Sequence, residues 1–201
     1  MNDLKRKYFF NFVFMKKNLL IICLFTLFAI KSNAQDTTLQ IIYYPIGVFH
    51  TEFTPKTGAP RQGILLPETK GQIEIYPKYR SALSTLCLFE YIIVIFHFSE
   101  VKSWQPTVNP PGASHEHNFG LFATRSPKRP NPIGFSVVKL ENIKDGILYI
   151  SGVDAFEGTP VLDIKPYLPS IDCIKSFQNE FIEKELGHHD QNFINDSTYF
   201  K

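Results

Sequence analysis

The chain predicts a mainly β fold, one small β-barrel with one or two short helices, and three observations lead there. From Leu39 onward the sequence is dominated by short apolar or alternating runs rich in β-branched and aromatic residues, the composition that suits a pleated, half-buried surface. Seven such runs follow one another at short spacing, which fits a closed or nearly closed barrel. Between two of them, Lys144-Asp145-Gly146 spells a tight hairpin turn, because Asp-Gly tolerates the positive φ such turns need.

In chain order, LQIIYYPIGVF (39–49) and GQIEIYP (71–77) open the series of strands. Ser81 to Leu88 reads as a helix capped at Ser81, since a serine hydroxyl serves the unpaired N–H groups of a first turn. YIIVIFHF (91–98), FGLFAT (119–124), IGFSVVKLENI (133–143), ILYISGVDAF (147–156) and VLDIKPY (161–167) supply the remaining strands. A second helix is expected at Phe177 to Leu186, ending at Gly187 where the composition turns polar.

Both ends read as additions to this domain. Lys16 and Lys17 precede an apolar run from Leu19 to Ile30, and Ser-Asn-Ala-Gln follows at 32–35, which is the order of a secretory signal with cleavage after Ala34. That run is shorter than the roughly 20 residues a membrane-spanning helix requires, so no stable membrane span is expected. The organisation is then a signal-like segment over 1–34, the barrel over 35–172, and a partly helical tail over 173–201.

The 201 residues, 44% of them hydrophobic, suffice for one sizeable core. The formal charge of +2 conceals an asymmetry, because the first 34 residues hold six Lys/Arg and one acidic residue and leave the remainder at −3. A generally basic nucleic-acid-binding surface is unsupported, and phosphate contact has to come from a local patch. Cys87 and Cys173 are the cysteines of the body; they would pair in an exported protein and stay free in the cytosol, and their spacing carries no metal signal.

The patch is ATRSPKRPNPIG (123–134), with two arginines and a lysine among three prolines. Each proline fixes its own φ and pushes the residue before it toward extended geometry, so the loop is stiff and loses less entropy on closing around a ligand. Its counterpart is DAFEGTPVLDIKPY (154–167), which sets Asp154, Glu157, Thr159 and Asp163 at strand ends where the carboxylates can face that loop, or can be a Glu157-Gly158 turn with Asp163 and Lys165 as surface neighbours. Other chemistry is poorly supported. His115-Glu116-His117 lacks a third ligand at metal spacing, His188-His189 is weaker still, and a lone His97 in an apolar strand is by default a core residue with a satisfied hydrogen bond. No GxSxG, GxGxxG or Walker loop is present, and Ser126 precedes a proline.

Five ordered segments, PIGVFHT (45–51), GAPRQG (58–63), WQPTVNPP (104–111), GLFATRSPKRPNPIGFSVVKLE (120–141) and SGVDAFEGTPVLDIKPYLP (151–169), resemble the TsaA-like, or TrmO, family of S-adenosylmethionine-dependent tRNA methyltransferases. The likeness runs from about Tyr44 to Asp172. It implies a barrel methyltransferase, a homodimer with its cofactor, S-adenosyl-L-methionine, near the subunit interface, and a tRNA substrate methylated on N6 of the threonylcarbamoyladenosine beside the anticodon. Carried over by motif, the cofactor-contacting positions are Gln62, His97, Phe98, Arg125, Phe135, Asp154, Ala155, Phe156 and Glu157. Lys128, Arg129 and Asn131 fall to the tRNA side, with an ion pair to Asp154 or Asp163 as the other reading of Arg129. No dedicated base and no metal is implied. The chain departs from the family pattern at Gly63-Ile64, where proline and glycine are usual, and near Glu90-Tyr91. The signal-like segment leaves two readings open: a cytosolic tRNA methyltransferase, or an exported barrel that binds a nucleoside-like or other small ligand, since neither tRNA nor the cofactor is met outside the cytoplasm.

Overall fold

The computed structural model describes residues 39–109 and 118–174 and the backbone of 194–195. The signal-like segment, the His115-Glu116-His117 triplet, the helix expected at 177–186 and His188-His189 lie outside the described residues. The elements that follow belong to the compact unit Tyr43–Lys201.

Six antiparallel strands close into a barrel: β1 (Gly47–Thr51), β3 (Lys70–Ile75), β8 (Ile147–Ser151), β7 (Ile133–Lys144), β4 (Tyr91–His97) and β9 (Pro160–Pro166), with β9 returning to β1 through Gly47↔Val161. Three further strands, β2 (Ala59–Pro60), β5 (Thr107–Val108) and β6 (Phe119–Gly120), are short, and β5 pairs with β6. β10 (Ile194–Asn195) pairs with β2. The β7–β8 hairpin turns at Asp145 (φ 53°) and Gly146 (φ 82°), the two positive φ values the Asp-Gly pair predicts.

The core is set by strand alternation. Ile92, Val94 and Phe96 of β4 point inward with Phe49, Ile73, Ile75, Val138, Leu148, Ile150 and Val161, and Phe49 and Phe96 meet edge to face at 5.6 Å. Each such side chain contributes roughly 1.5–3 kcal/mol by leaving water. Gly134 belongs to this packing because a Cβ there would lie 2.2 Å from the Phe96 ring.

Three expectations change. The first run yields only Gly47–Thr51, since Leu39, Ile41, Ile42, Tyr43 and Tyr44 are exposed and no strand pairs with them among the described residues. FGLFAT stays out of the barrel: after β6 it coils into a 3-10 turn at Leu121–Ala123. The helix expected over 81–88 is instead a 3-10 turn at Pro77–Leu83 and another at Leu86–Leu88. Pro77 starts the first turn, where its missing N–H is not needed, and left-handed Thr85 (φ 68°) separates the two. A single helical turn, α1 (Pro169–Asp172), follows β9. Cys87 and Cys173 are free and exposed.

Candidate functional site

At one end of the barrel, the close of β4 and the start of β7 meet three loops, and a cleft of about 520 Å³ opens between them. That volume lies within the range of small-ligand sites. The loops are 59–62, 124–129 and 154–159, the segments that carry PRQ, ATRSPKR and DAFEGT.

The 124–129 loop is stiffened by its own side chains as well as by its prolines. The Thr124 hydroxyl donates to Leu121 O at 2.8 Å and accepts from Ser126 N–H at 3.2 Å, while Ser126 Oγ accepts from Lys128 N–H at 3.3 Å. Arg129 completes the brace: Nη1 donates to Thr124 O at 2.9 Å and the guanidinium lies 5.4 Å from the Phe122 ring centre. Neither Asp154 nor Asp163 pairs with it; Asp163 takes Lys165 at 2.6 Å, as the surface-neighbour reading has it.

Arg125 leaves this loop toward the cleft. Its Nη1 donates to Gln62 Oε1 at 2.5 Å, and the guanidinium stands 5.9 Å from the centre of the exposed Phe135 ring. A cation and an aromatic face are thus presented together, the pairing that grips a planar ring or an anionic group.

Asp154 ties the cleft together from below. Oδ1 accepts from the Ser136 hydroxyl of β7 at 2.5 Å, and Oδ2 accepts from Gly63 N–H at 3.0 Å. Burial pushes its carboxyl up to about 6, against the pull of Ser136, the Gly63 N–H and Arg125. On this backbone a Cβ at Gly63 would lie 1.8 Å from Gly152 O, so glycine lets the loop pass this close to the barrel with its N–H on Asp154.

Glu157 occupies the other end of the same turn. Oε2 accepts from Thr51 N–H at 2.7 Å, and Oε1 meets His50 Nδ1 at 3.0 Å. Burial opposes its ionisation, but His50 and the Thr51 N–H outweigh burial and hold the carboxyl below the usual range. The turn at Glu157-Gly158 matches one sequence reading, and its place on the cleft matches the other.

Of the positions named from sequence, the structure brings Gln62, Phe98, Arg125, Arg129, Phe135, Asp154, Ala155, Phe156 and Glu157 to one cleft. His97, Lys128 and Asn131 do not line it. For His97 the reason is the two-residue period of β4, which turns Phe96 and Phe98 to the cleft and the residue between them to the other side. Asn131 is exposed, and its carbonyl accepts from Ile133 N–H at 2.7 Å to close the turn into β7. Thr159, singled out with Asp154 and Glu157 in DAFEGTPVLDIKPY, lines the cleft as well, together with Ser136 and Arg61; no local signal marks Ser136, whereas Arg61 stands inside the quoted PRQ segment. No cluster of metal-ligating side chains occurs among the described residues.

Comparison with known proteins points the same way. Residues 48–173 match the model of the tRNA-methyltransferase O N-terminal domain. A probable S-adenosyl-L-methionine-binding protein of Pyrococcus abyssi is 39% identical over 162 residues, 81% of this chain and 86% of that protein. The tRNA (adenine(37)-N6)-methyltransferase of Escherichia coli K12 is 39% identical over 132 residues, 62% of this chain and 56% of that one. Among solved structures, TrmO from Pseudomonas aeruginosa aligns at a TM-score of 0.60 with 36% identity, covering 71% of this chain and 63% of that chain. The chain therefore spans most of the archaeal relative but little more than half of the bacterial methyltransferase. With the same barrel, and with the family's motifs gathered at one cleft, this chain belongs to the TrmO family of tRNA-methyltransferase O N-terminal domains.

Proposed function

We propose that the chain is an S-adenosylmethionine-dependent tRNA methyltransferase acting on N6 of threonylcarbamoyladenosine beside the anticodon. The observation that carries this reading is the convergence of PRQ, ATR and DAFEG on one cleft whose lining matches the chemistry of the cofactor. Phe98 and Phe135 offer apolar faces for an adenine, Asp154 and the backbone of the 154–159 turn offer acceptors for hydroxyl and ammonium groups, and Arg125 offers a partner for a carboxylate. The bound cofactor supplies a methyl group already activated by a positively charged sulfur, so the protein's task is to align donor and acceptor. The braced 124–129 loop suits that task.

Lys128, Arg129 and Arg61 concentrate positive charge around the 124–129 loop and the cleft, and the reading gives them the tRNA backbone. Exposed Ile64 and Phe122 flank Gly63 and the 124–129 loop, and they support a homodimer that covers this end of the barrel. Such an enzyme meets its substrates in the cytoplasm, so the reading places the chain there with its signal-like segment unused.

Calorimetric titration with S-adenosylmethionine and S-adenosylhomocysteine, followed by methyl transfer to tRNA carrying the threonylcarbamoyl group, tests the proposal. Arg125→Ala is expected to weaken cofactor binding by about tenfold to a hundredfold, the scale of one charge-assisted contact, with an unchanged melting temperature. Absence of binding by the wild-type chain would overturn the reading.

A further inference from the structure

The turn that walls the cleft is fastened from outside the barrel. Glu157 lines the cleft and also a second, shallower groove that it shares with His50, Glu52, Lys70, Glu141 and Tyr149. Within that groove the imidazole of His50 has a carboxylate on each nitrogen: Nδ1 meets Glu157 Oε1 at 3.0 Å and Nε2 meets Glu74 Oε2 at 3.3 Å. Glu74 is in turn approached by Arg80, Nη2 to Oε1 at 3.7 Å. The neighbouring Thr51 donates its N–H to Glu157 Oε2 at 2.7 Å and its hydroxyl to Ala155 O at 3.0 Å. The end of β1 therefore grips the turn at both Ala155 and Glu157.

We propose that His50, clamped between Glu157 and Glu74, is a positioning residue that holds the 154–158 turn in its ligand-binding shape. The inference rests on the reading of the cleft as the cofactor site. A neutral imidazole has one N–H and serves one carboxylate; the imidazolium has two and serves both. Loss of the proton turns one contact into a lone pair facing an anion, and the turn is released at Glu157 or the barrel at Glu74.

The charged groups around the ring agree with this direction. Glu157 from the turn, joined by Glu74 from β3, favours the cation against the cost of burial, and the His50 midpoint is raised accordingly. Arg80 reaches only the far oxygen of Glu74, Lys70 is engaged by Glu141 at 3.1 Å, and Glu52 and Tyr149 line the same groove. Ligand affinity should therefore fall as pH rises through the His50 midpoint.

Two measurements on the full chain test this. In 15N-labelled protein without ligand, the amide signals of Thr51 and Glu157 are followed with the His50 ring signals between about pH 6.5 and about pH 8.5. The three should share one midpoint; amides that stay flat while the ring titrates overturn the proposal. S-adenosylhomocysteine is then titrated at both ends of the range into wild type and His50→Gln, whose single amide NH2 replaces the cation. Wild-type affinity should fall about tenfold with rising pH, one charge-assisted hydrogen bond's worth, and His50→Gln should bind at the weaker level at both pH values. A His50→Gln protein that keeps the wild-type pH profile refutes the positioning role. If wild type binds no ligand at all, the cofactor reading fails, and the amide titration still decides whether His50 holds the turn.

Discussion

Asp154 and Glu157 stand three positions apart on one turn, yet their surroundings move them in opposite directions. Asp154, drawn under the cleft, is pushed up to about 6 by burial even though Ser136 and Gly63 donate to it. Glu157, on the outer side, is held below the usual carboxylate range by His50 and the Thr51 N–H. The lesson is that one loop presents two kinds of carboxylate, one poised near neutrality inside a site and one fixed as an anion that anchors it. Neither behaviour belongs to the residue type.

The contrast is broken most severely from the Asp154 side at Gly63. A methyl group there would lie 1.8 Å from Gly152 O, so Gly63→Ala has to push the 59–63 loop off the barrel and lose the N–H that Asp154 accepts. Urea unfolding should show a loss on the order of 3 kcal/mol, the upper range for forced overpacking. A loss under about 1 kcal/mol would show that the loop yields and that the close approach is not required.

Asp154→Asn tests the same end more gently. Because burial raises the folded-state value above the usual 3.8, the protonated carboxyl is the form the fold favours. Its stabilising contribution is complete below that usual value and is lost as pH rises through about 6. The stability of wild type relative to Asp154→Asn should therefore fall by about 2–3 kcal/mol between pH 4 and 7, read from denaturant midpoints. A flat difference across that window would mean that water reaches the carboxylate.

How far such behaviour is visible in the sequence depends on the range of the interaction. The β7–β8 turn follows from Asp145-Gly146, and the inward set Ile92, Val94 and Phe96 follows from alternation, since both are decided by neighbours in the chain. The same alternation, applied strictly, removes His97 from the cleft, although its motif invites it there. The 3-10 turn at Pro77–Leu83 replaces a helix at Ser81 because Pro77 is a stronger local start than a serine further on. The clefts are different in kind. Asp154 finds Gly63 across 91 positions and His50 finds Glu157 across 107, and no pattern in the intervening residues announces either pair. Family motifs pointed to Asp154 and Glu157 together; only the folded chain separates their roles.

On the Glu157 side the effect is smaller, because the group is about half exposed. Glu157→Gln keeps an acceptor for the Thr51 N–H but removes the charge that faces His50. A loss of about 1 kcal/mol at neutral pH is expected, in keeping with a charge-assisted hydrogen bond partly screened by water. Since the folded value of Glu157 is depressed, its contribution is present above the usual 4.5 and disappears as pH falls through the folded midpoint. Wild type and variant should therefore converge in acid, the reverse of the Asp154→Asn comparison. The His50 ring midpoint, followed by NMR, should also drop toward the ordinary imidazole value in Glu157→Gln, since Glu157 is the largest cause of its elevation.

The smallest effect is expected at the shortest ion pair among the described residues. Lys165 Nζ lies 2.6 Å from Asp163 Oδ2, closer than either carboxylate comes to His50. Both partners are exposed, however, and they sit two positions apart on β9, so the pair fastens no loop and orders nothing that the strand has not already ordered. Lys165→Ala should change stability by less than about 0.5 kcal/mol and leave ligand affinity unaltered, as is usual for an isolated surface pair screened by solvent. A larger loss would mean that bare distance governs these contacts. The expected indifference would leave burial, for Asp154, and attachment to a distant segment, for Glu157, as what sets these two apart from Asp163.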